Sequence, residues 1–405
     1  MSDRDFFASI DVGSSKIVAL IADIEDNKFH VLGHAIGPSL GVKNGIIVDV
    51  DSASQAIKQV VDKVNKKCNR KPKFVNINVS DSNLRTNNQN RPISFNGNTK
   101  VITKKDVEQA IQNSSAGIMS ANKKELDPIV NNFTINDEVE MLPIGMEAVF
   151  LGAQVHLTSV SNQAINNISQ SLISSDLGVD KIILDSIASS SICITQEDKD
   201  RGVCLLDIGA GVSNISVFAK GGIVFSQVFN AGGNSVTNNI AQSYNTTFDE
   251  AERLKISFGM IQLDPITKDQ LIKFEQIGSV EARYLSLHEL ISVIEKSYKE
   301  ICTLVKRSLK SEKLDRTIKE GFVVIGGASK IKYCESFLIK EFRSRSKIAT
   351  INRDLVSGNE NILTNTDYFS ALGLLTCNIP DSYLQESDQV QKGGLFGTMK
   401  DIFSL

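Results

Sequence analysis

One short pattern occurs twice in this chain of 405 residues. An apolar strand, Phe6 to Val12, carries Asp11 near its end and turns through Gly13-Ser14-Ser15. A second strand from Ile17 to Ile24, a turn at Asn27 and a third strand from Phe29 to Ile36 follow. Near the middle of the chain, Gly202 to Asp207 runs into Gly209-Ala210-Gly211. Ile215 to Ala219, a turn at Gly221-Gly222 and Ile223 to Phe229 then repeat the meander. A duplicated half-fold is the economical explanation, and it restricts the chain to an α/β architecture with two like domains. A third buried strand, Gly321 to Ile325, ends at Gly326-Gly327-Ala328.

Between the repeats the pattern changes. A helix is expected from Ser52, with Ala53, Ile57, Val60 and Val64 as its apolar stripe, followed by a strand at Phe74 to Val79. From 83 to 158, polar turns at Asn87-Asn88 and Asn96-Gly97-Asn98 separate short strands from a helix, Thr103 to Ile118. This stretch reads as a small inserted α+β module. A helix from Asn162 to Leu177, stopped by Gly178, and a strand from Lys181 to Leu184 return the chain to the main body. Helices dominate from about Ser235 to Leu309, the longest stripe running Leu290, Ile294, Tyr298, Ile301, Val305 and Leu309.

Composition excludes several classes. Hydrophobic residues at 41% and charged residues at 22% describe a folding chain, and a net charge of −3 gives no basic field to hold nucleic acid. No apolar run reaches the roughly 18 residues of a membrane span. Met1-Ser2-Asp3-Arg4-Asp5 lacks the layout of a secretion signal, so a cytosolic protein is expected. The six cysteines are scattered without a Cys-x-x-Cys pair, and neither a Walker A loop nor a Gly-x-Ser-x-Gly elbow occurs.

The chemistry lies in the glycine turns. A strand that ends in Asp-x-Gly and turns tightly gathers backbone N–H groups and small hydroxyls into a nest suited to phosphate oxygens. Gly13 admits the phosphates, Ser14 and Ser15 donate hydrogen bonds and Lys16 supplies charge; Gly209, Ala210, Gly211 and Ser213 would do the same from the opposite side. Asp11 and Asp207 would face each other and hold Mg²⁺ through its waters. Either Asp-x-Gly alone would be only a turn; the matched pair, with Gly326, Gly327 and Ala328 behind a third strand, is a stronger signal. Gly232-Gly233-Asn234 opens a helix whose N-terminus favours an anion. Glu252 and Lys255, three apart on one helix face, could grip ribose hydroxyls. Asp185 either orients a water or caps the helix it begins.

Taken together, the loops at Asp11 and Asp207, the connecting helices near Asp185 to Ser190 and Phe369 to Gly373, and the Gly326-Gly327-Ala328 turn resemble the actin/Hsp70/sugar-kinase ATPase fold. More closely, Ile10 to Lys16, the Gly41 to Asp49 segment, and the inserted module with Gly145-Met146 and Val155-His156-Leu157 resemble the FtsA family of bacterial cell-division proteins. The resemblance implies two duplicated ribonuclease-H-like domains around a nucleotide cleft. The first is 1–82, 159–190 and 360–378; the second is 191–359, with a helical subdomain at about 235–310; the inserted α+β subdomain, 83–158, serves polymer contacts and later division proteins. It implies ATP and Mg²⁺ as ligands. The family's second loop usually reads Asp-x-Gly-Gly-Gly-Thr-x-Asp, whereas Val212 and Asn214 stand here, a change expected to weaken hydrolysis more than binding.

The resemblance also implies a role in tying the tubulin-like polymer FtsZ to the inner face of the cytoplasmic membrane. Arg283, Lys296 and Lys299 are candidate contacts for the C-terminal peptide of FtsZ, because Ser297 stands where the family commonly has a basic residue. Beyond a polar tether at 379–392, the segment 393–405 places Leu395, Met399 and Ile402 on one helical face, flanked by Phe396 and Phe403. Burying each large side chain contributes roughly 1.5–3 kcal/mol, against about 1–2 kcal/mol per residue of backbone ordering. One tail should therefore bind lipid weakly, and many tails on one polymer should bind well. Two alternatives share the fold: a pilus-assembly actin homologue, which needs no such tail, and a small-molecule kinase, which needs an acceptor base and a sugar pocket that the sequence does not signal.

Overall fold

The computed structural model describes residues 6–116, 122–263, 268–281 and 283–377. Two sheets in it share one wiring. Phe7–Val12, Lys16–Glu25 and Lys28–Pro38 form an antiparallel meander, and Phe74–Val79 and Gly178–Leu184 add in parallel beside its first strand. Val203–Ile208, Ser213–Ala219 and Gly222–Phe229 repeat the meander, and Gly321–Ile325 and Ser346–Ile348 add in parallel on the same side. The first sheet gains one more edge strand, Val356–Ser357. Parallel pairs need crossover helices, and these bury the sheet faces. That is why Ile10, Ile77, Leu205 and Val323 lie in unbroken buried runs.

Local chemistry sets the ends of these elements. The first hairpin turns at Asp26 (φ 50°) and Asn27 (φ 59°), the double left-handed pair that matches strand twist. Its counterpart turns at Lys220 and Gly221, one residue earlier than the Gly221-Gly222 pair suggests, because Gly222 already belongs to the next strand. The helix expected from Ser52 spans Val50–Cys68, because its cap is Asp49, whose carboxylate accepts from Ser52 N–H at 3.1 Å. The helix expected to reach Leu177 ends at Ile173 and is followed by a turn into Gly178–Leu184. The long stripe in the second domain forms a single helix, Leu287–Ser311, that buries Leu290, Ile294, Tyr298, Ile301, Val305 and Leu309.

Two short helices, Asp185–Cys193 and Phe369–Thr376, cross where the halves meet. Gly373 makes the crossing possible, since a Cβ there would overlap the Ala188 carbonyl. Ser189–Ser370 at 3.1 Å and Ser191–Thr376 at 2.7 Å fasten it.

The inserted module packs the helix Lys104–Ser115 against a sheet built on Phe150–Ser161 and Ile129–Ile135, around Val107, Ile111, Phe133 and Leu151. Thr103 and Asp106 form the helix's capping box. Asn87 and Asn88 prove to be strand residues, within Arg85–Asn90, instead of a turn. The reason is tertiary. Asn88 donates to the Val224 carbonyl at 2.6 Å, and the Asn131 amide both donates to Ile223 O (2.8 Å) and accepts from Ile223 N–H (2.9 Å). These side chains occupy main-chain groups of the outer strand of the second sheet, covering an edge that would otherwise be free to pair. Among the described residues no helix is long and apolar enough to cross a membrane. The tether at 379–392 and the Leu395, Phe396, Met399, Ile402 and Phe403 stripe lie outside the described residues.

Candidate functional site

The duplicated wiring brings the two acidic strand ends to the floor of one cleft. Asp11 pairs with Val18, and Asp207 sits at the matching place opposite Asn214. Asn78, on the parallel strand beside Asp11, donates to Asp11 Oδ1 at 2.6 Å and accepts from Val12 N–H at 2.8 Å. Asn214 donates to Asp207 Oδ2 at 3.0 Å. Between the two amides stands Asp185, 3.4 Å from Asn78 Nδ2 and 3.5 Å from Asn214 Nδ2. Leu184 occupies the cap position of the Asp185 helix and no side chain caps it, so Asp185 faces the cleft instead of serving as a cap.

Burial and the nearness of a third carboxylate work against ionisation of Asp11 and Asp207. Burial, then the charge of Asp185, pushes Asp11 up to about 8 against the pull of Lys16 and Asn78. Asp207 is pushed well above the carboxylate range by burial first and then by Asp185. Asn214 Oδ1 is buried there without a partner. Such a floor fits a hydrated divalent cation, which would supply the missing charge and two or more donors. Among the described residues no group of three or more His, Cys, Asp or Glu side chains is arranged to hold a metal ion directly, so the waters of that cation would carry the contacts.

The walls are the two loops. Each closes with the same bond: Gly13 N–H to Lys16 O and Gly209 N–H to Val212 O, both at 3.0 Å. Ser14 Oγ accepts from Gly45 N–H at 2.8 Å and lies so close to Gly211 that a Cβ there would overlap it. Across the cleft, Gly326 holds φ +91°, and a Cβ on it would overlap Asp207 Oδ1 and Ile208 O. The cleft has a volume of about 540 Å³, enough for a nucleotide-sized ligand. Asp11, Gly13, Ser14, Ser15, Lys16, Asp185, Asp207, Gly209, Ala210, Gly211, Gly233, Asn234, Glu252, Lys255, Gly326, Gly327 and Ala328 all line it.

Two expectations need correction. Ser213 does not line the cleft: it begins a strand, is fully buried, and its hydroxyl donates to Ala231 O at 2.7 Å. The helix Gly233–Tyr244 offers no anion site at its start, and Gly232 lies outside the lining. The N–H groups of Gly233 and Asn234 donate to Gly209 O (2.9 Å) and Ala210 O (2.7 Å), and those of Ser235 and Val236 to Gly232 O. This helix end thus braces the second loop.

Glu252 and Lys255 are a half-buried pair, 2.6 Å apart, with Lys255 also donating to Gly233 O (3.1 Å) and Thr237 Oγ1 (2.8 Å). Burial lowers the Lys255 pKa. Ile256, Ser257, Gly259, Tyr298, Ile331 and Lys332 also line the cleft, and Tyr298 donates to Ala328 O at 2.6 Å, fixing the Gly326-Gly327-Ala328 turn. Ser370 of the second connecting helix also lines the cleft, as do Asn78, Lys330, Thr366 and Asp367, which carry no motif. A faint signal exists for Asn78. Asn76 and Asn78 alternate with Val75, Ile77 and Val79 along a strand buried throughout these positions, a pattern that requires polar partners inside.

The candidate partner residues sit apart from the cleft. Arg283 lies on a strand, Arg283–Ser286, and not on a helix; Lys296 and Lys299 are exposed on Leu287–Ser311, where Lys299 pairs with Glu295 at 2.6 Å. Ser297 faces inward, accepting from Asn239 at 2.9 Å and donating to Val293 O at 2.8 Å.

Two family models match: "Cell division protein FtsA" over residues 204–373 and "SHS2 domain inserted in FTSA" over 82–159. The cell division protein FtsA of Neisseria meningitidis serogroup B is 28% identical over 405 residues, covering 98% of this chain and 97% of the relative. Among solved structures, the PilM–PilN type IV pilus biogenesis complex aligns with a TM-score of 0.65 at 16% identity, over 91% of this chain and 97% of that one. MreB5 of Spiroplasma citri bound to ADP aligns with a TM-score of 0.58 at 13% identity, over 92% and 95%. The fold is that of the actin-like ATPases.

Proposed function

The chain belongs to the FtsA family of cell-division proteins, and we propose that it binds Mg·ATP in the cleft, polymerises at the cytoplasmic face of the membrane and ties the FtsZ ring to it. The observation that carries the nucleotide reading is the pair of like loops, closed by identical bonds and facing each other above Asp11 and Asp207. With the Gly13 and Gly209 N–H groups closing the loops, the backbone N–H groups of Ser14, Ser15, Ala210 and Gly211, the Ser14 and Ser15 hydroxyls and Lys16 would take the phosphates. Glu252 and Lys255 would hold the ribose, and the lining at Ile256, Tyr298 and Ile331 would take the base. The ADP in the solved MreB5 structure supports this choice of ligand.

A bound magnesium ion would supply positive charge among Asp11, Asp185 and Asp207 and against the phosphates. Asn78 and Asn214 hold those acids in place. Asp185, which Asn78 and Asn214 reach only at 3.4 and 3.5 Å, would be the group that orients a water. Asn214 replaces a family acid and donates to Asp207 and Asp185 without adding charge, which fits slow turnover coupled to strong binding.

On this reading the inserted module serves self-assembly and later division proteins, and the 393–405 segment is the lipid contact. Sedimentation with vesicles of mixed anionic and zwitterionic lipid, in Mg·ATP and with FtsZ, tests it. The full chain is expected to carry FtsZ into the pellet, while a chain ending at Ile379 leaves it in solution. If FtsZ stays in the supernatant with the full chain as well, the tether is refuted.

A further inference from the structure

The cation of the first loop is already engaged. Lys16 Nζ donates to Asp367 Oδ1, and Lys330 Nζ donates to the other oxygen of the same carboxylate. Lys16 belongs to the first sheet's meander and Lys330 to the short helix Gly327–Lys330 after the third glycine turn, so Asp367 joins the two halves at the cleft wall. Its position is set from several sides. Asp367 N–H donates to Asn365 Oδ1 at 3.0 Å, the neighbouring Thr366 hydroxyl donates to Gly326 O at 3.4 Å, and Tyr368 packs edge-on against His34 with ring centroids 5.7 Å apart. Gly327 leaves room for the cluster: a Cβ there would come within 3.3 Å of Asp367 Oδ1 and 3.4 Å of Lys16 Nζ. Although burial works against ionisation, Lys16 and Lys330 outweigh it and keep Asp367 below the usual carboxylate range.

A carboxylate gripped by two ammonium groups at a phosphate-binding wall occupies the electrostatic place of a phosphate. An arriving polyphosphate needs Lys16 and must meet or displace the Asp367 charge. We propose that Asp367 is a built-in competitor for the polyphosphate of the nucleotide, setting its affinity and linking its arrival to release of the Lys330–Asp367 contact between the halves. This rests on the reading of the cleft as a nucleotide site. Competition acts on the phosphates alone, so it separates ligands by their charge.

The test is calorimetric titration of the full chain and of Asp367→Asn with Mg·ATP, Mg·ADP and adenosine. Asp367→Asn is expected to bind Mg·ATP and Mg·ADP more tightly by about ten-fold, the effect of removing one close opposing charge, with adenosine unchanged. Asp367→Glu, which keeps the charge, is expected to stay within about three-fold of the parent. Asp367→Ser carries the same expectation as Asp367→Asn and guards against a folding defect peculiar to one variant. Should the parent bind Mg·ATP while both neutral variants bind it equally or more weakly, competition is refuted and the nucleotide reading stands. Equal tightening of adenosine also refutes it, by placing Asp367 against the nucleoside. If no form binds any nucleotide, the cleft reading falls and the competitor with it.

Discussion

Gly326→Ala is expected to abolish nucleotide binding and to cost about 2–4 kcal/mol of stability. Gly326 sits at φ 91°, ψ 158°, a region open in practice to glycine alone. A methyl group there also overlaps Asp207 Oδ1 and the Ile208 carbonyl, and the carbonyl belongs to a central strand that cannot move aside cheaply. The strain thus acts on stability and the overlap acts on the acid that floors the cleft. Gly358→Ala separates the two effects. Gly358 has φ +148° but lies against Val31, away from the cleft, so alanine there should lower stability and leave Mg·ATP affinity within about three-fold. Urea unfolding and nucleotide titration on both variants read the difference. Near-parental affinity in Gly326→Ala would contradict the placement of the third glycine turn against Asp207.

Acid should loosen the inserted module through His156. The side chain is fully buried on Phe150–Ser161, and its Nδ1 lies 2.7 Å from Asn88 Oδ1, which can only accept, so Nδ1 carries the hydrogen. Nε2 is buried with no partner, and burial lowers the pKa to about 4. Well above pH 6.5 the imidazole is neutral in both folded and unfolded chains and adds no pH dependence. As pH falls below 6.5 the unfolded chain takes up a proton that the folded one refuses, and stability declines until about pH 4. The full loss is about 3 kcal/mol, and about 2 kcal/mol of it falls between pH 6.5 and 5. Asn88 also donates to Val224 O, so the docking of the module on the second domain shares this dependence. His156→Gln keeps a donor for Asn88 and cannot titrate. Between pH 7.5 and 5 it should lose about 2 kcal/mol less than the parent in urea unfolding; parallel losses would show that His156 is not the sensor.

Much of the architecture is legible in the sequence where the signal is local. The two meanders announce themselves by apolar runs bounded by Asp-x-Gly and by turn pairs, and Leu287–Ser311 by a stripe at helical spacing. Side-chain direction is less legible. Ser213 and Gly232 sit in the right loops, yet a hydroxyl at the first residue of a strand points wherever the pleat sends it, and Gly232 turns behind the second loop. Least legible are Asn78, Lys330 and Asp367. Lys330 and Asp367 are ordinary polar residues with no pattern around them, Asn78 shows only as a polar residue in a buried strand, and the closing of the two halves brings them to one cleft. Asn88 misleads for the same reason, since an amide that holds another domain's strand edge looks like a turn former when read locally.

Hydrogen–deuterium exchange of the full chain with and without Mg·ATP measures most directly whether one nucleotide seats between both loops. Backbone amides in 11–16, 207–214 and 326–330 are expected to slow together at saturating nucleotide. Slowing confined to one of the two halves, or none in any of the three segments while the nucleotide is bound, would contradict a shared site.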